Sequence, residues 1–397
     1  MNQTLTDSQK RLPVTRLLAL ALTGFITILT EALPAGLLPQ ISQDLHVSPA
    51  LAGQLVTLYA IGSLLAAIPL TIITQGIGRR TLLLLAIGGF AVVNSITALS
   101  GSYLLTLVAR FVAGVCAGLV WALIAGYAAR MVPERLKGRA IAVAMVGTPL
   151  ALSLGIPLGT FIGAIIGWRV TFALISLLTL LLIGWVRVKL PDYPGQLAAQ
   201  RLSLRQVFIL PGVRPVLLVT LGFVLAHNIL YTYIAPLLAP LGMALQIDRV
   251  LLLFGVAAFG GIVIIGILID RGIRQLVLGS IVLFAAAALL LGLCAAMPLA
   301  VWLAIGLWGL AFGGVSTLFQ TALADSAGAA ADVAQSMLVT CWNIAIAAGG
   351  IIGGVLLEGG GVQTLPWAVL ALMALTLLVA GNAQRHGFPP PGLVDHK

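Results

Sequence analysis

The sequence is poor in charge, above all in negative charge. Of its 397 residues only 8% are charged, and Asp and Glu together number 11. A soluble domain covers its surface with far more charged side chains, so a water-soluble protein is excluded. Three cysteines and four histidines are too few and too scattered for a disulfide framework or a metal centre. We therefore expect no metal, no cofactor and no enzymatic activity.

Long apolar runs make up most of the sequence. Hydrophobic residues make up 60% of the chain, and its mean hydropathy is +1.14. Runs of about 20 residues recur along the chain, each long enough to cross a hydrocarbon core of about 30 Å. The runs do not alternate between apolar and polar residues as barrel strands do. The predicted fold is an all-α membrane protein with twelve transmembrane helices, at residues 16–39, 51–74, 81–99, 103–128, 139–163, 168–188, 213–239, 249–269, 276–296, 299–323, 332–357 and 365–383.

The basic residues are distributed asymmetrically. Of the 21 Lys and Arg residues, 18 lie in the two tails and in alternate loops, while Arg169 and Arg249 lie on the opposite side and Arg110 lies within a helix. Positively charged loops stay on the cytoplasmic side, which predicts a multi-pass protein of the cytoplasmic (inner) membrane with both termini in the cytoplasm. The same asymmetry accounts for the formal charge of +10 without nucleic acid as a partner.

An internal repeat divides the chain into two related halves. The loop that follows Thr71 resembles the loop that follows Gly266, and Gly155 and Gly159 match Gly350 and Gly354 at the same offset of 195 residues. Chance matching is the alternative in a chain with 45 glycines. A polar, basic segment separates the sixth and seventh helices. We predict two pseudo-symmetric six-helix bundles at residues 1–190 and 213–397, joined by a cytoplasmic linker at 191–212.

Two ionisable residues lie inside predicted spans, Glu31 in the first and Arg110 in the fourth. A charge within the hydrocarbon is costly unless it is paired or hydrated, so such residues are candidates for function. Each lies about 8 residues from the outer end of its span, roughly 12 Å deep at about 1.5 Å per residue. Equal depth permits a pair that couples protonation to conformational change. The alternative is a static ion pair that fixes the two helices.

Other polar and aromatic residues occur in the middle of spans. His227 is a third proton-coupling candidate because histidine titrates near neutral pH, and a histidine that only hydrogen-bonds within the bundle is the alternative. Aromatic and amide side chains at mid-span often line a cavity, with plain packing as the alternative for each. The predicted substrate-binding residues are Tyr59, Trp121, His227, Asn228, Tyr231, Trp308 and Asn343.

The fourth and fifth spans carry motifs of small residues. Arg110-Phe-Val-Ala-Gly114 is similar to the helix-four motif of the major facilitator superfamily, whose arginine takes part in proton coupling. Gly155-Ile-Pro157-Leu-Gly159 resembles the helix-five motif of its drug:proton antiporter group. Glycines four residues apart permit close helix packing, and an intramembrane proline bends a helix.

The two repeated loops resemble the superfamily motif at the cytoplasmic gate. In the first copy Gln75 replaces the expected acidic residue, which argues against a charge-stabilised gate in that half. The gate residues that the resemblance implies are Arg79, Arg80, Asp270, Arg271 and Arg274.

The resemblance also implies a function. The segments around Glu31 and His227 resemble sugar efflux transporter B, arabinose efflux-like proteins and purine ribonucleoside efflux pumps. This implies secondary active export of drug-like compounds, sugars or nucleosides by proton antiport with alternating access. A facilitator or proton-coupled importer of the same fold is the alternative. The aromatic, apolar lining leans towards lipophilic cargo, and the expected partners of this monomer are a small-molecule substrate, protons and the lipid bilayer.

Overall fold

The structure is a computed structural model that describes residues 12–47, 49–195, 202–243, 246–294 and 297–389. Throughout these ranges the regular elements are helices. The helices before residue 190 are α1 (Val14–Gly36), α2 (Leu38–Asp44), α3 (Pro49–Ile73), α4 (Arg79–Leu99), α5 (Tyr103–Arg130), α6 (Lys137–Met145), α7 (Gly147–Leu150), α8 (Ile156–Ile166) and α9 (Trp168–Lys189). Those that follow are α10 (Leu204–Ile209), α11 (Val213–Thr232), α12 (Ile234–Leu238), α13 (Ile247–Leu268), α14 (Ile273–Leu293), α15 (Pro298–Gly313), α16 (Val315–Ala327), α17 (Ala331–Gly360) and α18 (Thr364–Asn382).

Helices dominate because a chain in lipid must satisfy its backbone polar groups internally. The helices are interrupted at residues whose side chains or backbone angles favour a turn. Gly167 and Gly212 adopt φ angles of 93° and 94°, which a residue with a Cβ disfavours, and they precede α9 and α11. Ser102 caps α5 by accepting a hydrogen bond from the Leu105 amide.

Eleven stretches in the described part of the chain are long and apolar enough to cross a membrane. One of them, Pro298–Gly360, has 63 residues and would extend about 95 Å as a continuous helix, far more than one crossing needs. It is divided at the turn Gly328–Ala330, between α16 and α17. The predicted spans 299–323 and 332–357 lie on either side of this turn, so the eleven stretches accommodate the twelve predicted crossings.

The 195-residue offset continues through the helix boundaries. Adding it to the first residues of α4 and α5 gives 274 and 298, against observed starts of 273 for α14 and 298 for α15. The same operation on α9 gives 363, and α18 begins at 364. The helical scaffold is therefore duplicated.

The chain forms two compact units, each with its own core. The first comprises Met1–Leu204 together with Asp332–Val339 from the first turns of α17, and its fully buried side chains include Phe90, Leu123 and Phe172. The second comprises Arg205–Ala331 and Thr340–Lys397. At its centre Phe223 packs against Phe284 and Phe319, with ring centroids 5.2 and 5.9 Å apart. The predicted domain limits at 190, 191–212 and 213 stay a prediction.

The fifth predicted helix, 139–163, is a chain of short helical pieces. Between α7 and α8 the segment Ala151–Gly155 is a π-helical turn, which places one extra residue in the helix just before Pro157. Proline lacks an amide hydrogen, so the regular hydrogen-bond ladder cannot continue through it. The widened turn accommodates this interruption.

Candidate functional site

Arg110 lies at the centre of the first unit and is completely buried. Its Nε donates to the carbonyl of Leu55 in α3, and its Nη2 donates to the carbonyl of Glu31 in α1, both at 3.3 Å. The guanidinium also lies 4.9 Å from the ring centroid of Tyr59, a distance at which a cation and an aromatic face attract. Arg110 therefore connects α1, α3 and α5 through main-chain acceptors and an aromatic ring.

Glu31 meets Arg110 through its backbone rather than through its side chain. Among the described residues no ion pair within 4 Å joins the Glu31 carboxylate to the guanidinium, so the static ion pair is not formed in this structure. The Glu31 side chain is half-buried, whereas Arg110 is fully enclosed and its Nη1 has no hydrogen-bond partner in the described structure. An arginine with one unfilled donor thus lies beside a partly accessible carboxyl group.

Two further polar side chains hold α1 around this site. The Tyr59 hydroxyl donates to the Thr27 carbonyl at 3.1 Å, and Asn94 of α4 donates through Nδ2 to Thr30 Oγ1 at 3.0 Å. Tyr59 is 1% exposed and covered by Arg110, so its ring and hydroxyl are already engaged. Tyr59 thus contributes to the Arg110 site, and its predicted contact with substrate stays a prediction.

The glycine motif of the fifth predicted helix packs against the same helix that carries Glu31. A Cβ added at Gly155 would lie 2.9 Å from Leu29, and one added at Gly159 would lie 2.8 Å from Leu33. Pro157 lies between them in the first turn of α8. The small residues bring the broken helix into direct contact with α1.

A second charged cluster occurs where α4 begins and α5 ends, on the face that the charge pattern predicts to be cytoplasmic. Arg79 Nη2 lies 2.7 Å and Arg130 Nη2 lies 3.2 Å from Oδ2 of Asp332, in the first turn of α17. Arg79 and Asp332 are each 1% exposed, and Arg130 is 28% exposed. The Gln75 departure argues against a charge pair formed within the predicted first bundle, and the acidic group that pairs with Arg79 comes instead from Asp332, a residue of the predicted second bundle.

The remaining predicted gate residues lie outside this cluster. Arg80 pairs with Asp192 at 3.9 Å. In the second copy of the motif, Asp270 and Arg271 are exposed in a short 3-10 turn. Arg274 donates to the carbonyls of Ala380, Gly381 and Phe388 at 3.0 to 3.2 Å, which fixes the end of α18. Arg79 and Arg274 occupy equivalent positions in the repeat, yet one binds a carboxylate and the other binds main-chain carbonyls.

The second unit contains an aromatic cluster around His227. The imidazole stacks on Phe312 with centroids 3.6 Å apart, and Trp308 Nε1 donates to His227 Nδ1 at 3.2 Å. Tyr231 stacks on the imidazole with ring centroids 5.2 Å apart and is 44% exposed, while Phe254 packs against Trp308 with centroids 4.6 Å apart. The imidazole is thus enclosed by aromatic rings and held by the Trp308 donor, and its predicted roles in proton coupling and substrate binding stay predictions.

The other predicted substrate-binding residues lie at different places. Trp121 of α5 packs over Gly24 of α1 in the first unit. Asn228 donates to the Val224 carbonyl at 2.8 Å, and its Cβ closely approaches Gly349 of α17. Asn343 is half-buried in the second unit.

The repeat duplicates the scaffold but not its chemistry. The positions 195 residues after Glu31 and Arg110 hold Ala226 and Ile305, both fully buried. The charged site is therefore a property of the first unit. The position 195 residues after Tyr59 holds Phe254, which belongs to the aromatic cluster of the second unit.

Comparison with protein families identifies this architecture. The family model described as Major Facilitator Superfamily matches residues 20–334. The chain belongs to the major facilitator superfamily. As a member, it is a multi-pass membrane transporter and not an enzyme.

This major facilitator transporter is similar in sequence to an efflux pump and similar in structure to other transporters. It is 31% identical over 363 residues to the purine ribonucleoside efflux pump NepI of Shigella dysenteriae serotype 1 (strain Sd197), which covers 89% of the chain and 90% of the relative. The human organic anion transporter MFSD10 superposes with a TM-score of 0.75 at 18% identity, over 94% of this chain and 99% of that one. The proton:xylose symporter XylE superposes with a TM-score of 0.75 at 16% identity, over 94% and 96%. The two structural matches show the fold alone.

Several residues of the Arg79 cluster and of the His227 cluster could not be identified from the sequence. Arg130 and Asp332 complete the charged cluster with Arg79, and Phe312 provides the closest ring contact of His227. The one available signal was the absence of an acid at Gln75, which indicates that Arg79 needs a carboxylate from elsewhere in the chain.

Proposed function

We propose that the chain is a proton-driven exporter that works by alternating access in the cytoplasmic membrane. The observation that carries the proposal is the Arg110 site, where a fully buried cation with an unfilled donor lies beside the half-buried carboxyl group of Glu31. Protonation of Glu31 removes the negative charge next to this cation, and deprotonation restores it. Such a change alters the electrostatic energy of a site that connects α1, α3 and α5. Facilitated diffusion does not require a site of this kind.

Two observations support an aromatic heterocyclic substrate. The relative NepI is a purine ribonucleoside efflux pump, and export is the direction of transport that we carry over to this chain. Tyr231 offers an exposed ring at the edge of the His227 cluster, and planar bases stack favourably on such rings. We propose that the aromatic cluster binds the base, while Glu31 and Arg110 couple transport to protons.

The Arg79, Arg130 and Asp332 cluster is the proposed cytoplasmic gate. Two arginines share one buried carboxylate there, so release of Asp332 exposes all three groups to water together. With the loops of this face in the cytoplasm, as the basic residues predict, formation of the cluster closes the inward-facing route. The transporter works as a monomer with both termini in the cytoplasm.

The test is transport by purified protein in liposomes. Vesicles receive a radiolabelled purine ribonucleoside on the side of the basic loops and an imposed pH gradient, and a pH-sensitive dye reports proton flux. We expect nucleoside and protons to move in opposite directions. Glu31→Gln removes the titratable group at nearly constant volume, so it should abolish proton-driven transport and retain nucleoside exchange.

Glu358→Gln is the matched control, because Glu358 is exposed on α17 and should leave coupling unchanged. Proton coupling that survives Glu31→Gln at the wild-type level contradicts the role of Glu31. Nucleoside exchange without proton movement in the wild type supports a facilitator instead.

A further inference from the structure

The segment that follows α9, residues 190–195, lies against the ends of two other helices of the first unit; we call it the clasp. Its residue Gly195 approaches the loop after α3 so closely that an added Cβ would overlap the backbone of Gly76. The Tyr127 hydroxyl of α5 donates to the carbonyl of Pro191 at 2.5 Å. The clasp is thus held by contacts along its whole length.

The clasp provides the N-terminal cap of α4. The first amide groups of a helix have no partner within the helix, and Gly78 at the cap position has no side chain to supply one. The Arg79 amide donates to the Tyr193 carbonyl at 2.8 Å, and the Arg80 amide donates to Asp192 Oδ1 at 3.1 Å. A carboxylate at a helix N-terminus also interacts favourably with the helix dipole.

Tyr193 of the clasp also caps the C-terminal end of α5. The Tyr193 hydroxyl donates to the carbonyl of Arg130 at 3.0 Å, and its ring packs edge-on against Tyr127 with centroids 5.5 Å apart. Burial raises the pKa of Tyr193, an effect that Arg16 and Arg130 oppose, so the hydroxyl remains protonated and can donate at neutral pH. Tyr193 therefore bonds to the main chain of Arg79 through its carbonyl and to that of Arg130 through its hydroxyl.

These two arginines are the pair that shares Asp332. We propose that Tyr193 is a positioning residue of the gate, which holds the ends of α4 and α5 at the spacing at which Arg79 and Arg130 bind one carboxylate. The inference rests on the proposed gate. Without the hydroxyl, the last residue of α5 loses its hydrogen bond to the clasp, and Arg130 dissociates from Asp332 more often.

The test measures access of a reagent to the gate. The three native cysteines are replaced by serine, and Ala129→Cys, a buried position next to Arg130, reacts with a membrane-impermeant maleimide. Tyr193→Phe deletes the hydroxyl and keeps the ring. We expect labelling about fivefold faster, the change in an equilibrium constant that corresponds to one net hydrogen bond.

Tyr233→Phe is the matched control, because the Tyr233 hydroxyl donates to the Gly350 carbonyl at 2.6 Å in the second unit. It should lower the melting temperature as much as Tyr193→Phe does and leave labelling unchanged. Asp332→Asn should accelerate labelling more than Tyr193→Phe. If Asp332→Asn accelerates labelling but Tyr193→Phe does not, the positioning role of Tyr193 is overturned and the gate stands. If neither variant accelerates labelling, the gate is overturned and the inference with it.

Discussion

Replacement of Asp332 by Asn should destabilise the protein far more than removal of an exposed carboxylate does. Asp332 is the partner of Arg79, and both side chains are 1% exposed, so the substitution leaves a buried guanidinium without a counter-charge. Loss of one partner from a buried ion pair costs about 3 to 5 kcal/mol. Arg130 is 28% exposed and can turn towards water, so its share of the loss is no more than about 1 kcal/mol. We expect the free energy of unfolding to fall by about 3 kcal/mol or more.

The measurement is equilibrium unfolding in mixed micelles, with two comparison variants. Glu134→Gln also removes a carboxylate from an ion pair, since Glu134 lies 2.6 Å from Lys137, but its side chain is 71% exposed. Its effect should stay below about 1 kcal/mol. Adding Arg79→Gln to Asp332→Asn removes the stranded charge and should recover much of the stability. Equal losses for Asp332→Asn and Glu134→Gln, or no recovery in the double variant, refute the reasoning.

Two further substitutions, the second with a control variant, test the aromatic cluster and the contact between α1 and α7. Trp308→Phe removes the hydrogen-bond donor to His227 Nδ1. The KM for an aromatic substrate should therefore rise about fivefold, while the proton stoichiometry stays unchanged. An unchanged KM in the transport assay contradicts the aromatic cluster as a binding site. Gly147→Ala places a Cβ against the carbonyl of Ala21 and should lower the free energy of unfolding by about 1 to 3 kcal/mol. Gly88→Ala, where the added Cβ meets nothing within 4 Å, should instead stabilise α4 by about 0.5 to 1 kcal/mol; similar unfolding curves for the two variants contradict the close packing.

The fold could be predicted from the sequence because lipid permits few alternatives. Apolar runs of membrane-spanning length must be helical, and the offset between Thr71 and Gly266 carries over to the starts of α4 and α14. The π-helical turn at Ala151–Gly155 could not be predicted, although Pro157 marks where a ladder must break. Proline indicates an interruption without specifying how the neighbouring turns accommodate it.

The sites were less predictable than the fold. Depth alone places Glu31 and Arg110 together, and the structure does bring them into contact. Equal depth does not predict that Arg110 donates to the Glu31 carbonyl, because every residue of the chain offers a carbonyl acceptor. Asp332 is distant from Arg79 in sequence, and Phe312 resembles any lipid-facing phenylalanine until its contact with His227 is seen. Sequence thus indicates which groups need partners more readily than it indicates the partners.

The anchoring of Arg110 on main-chain oxygens has a genetic consequence. The carbonyls of Leu55 and Glu31 persist whatever side chain those positions carry, so no single substitution there deletes an acceptor. In a saturation mutagenesis screen for transport, position 110 should accept arginine alone, while position 55 tolerates other apolar residues. Second-site suppressors of an Arg110 variant should not arise at Leu55, because the acceptor at that position belongs to the main chain. Selection can therefore adjust this cation through Arg110 itself, through the Tyr59 ring and through the groups near Nη1, but not through its main-chain acceptors.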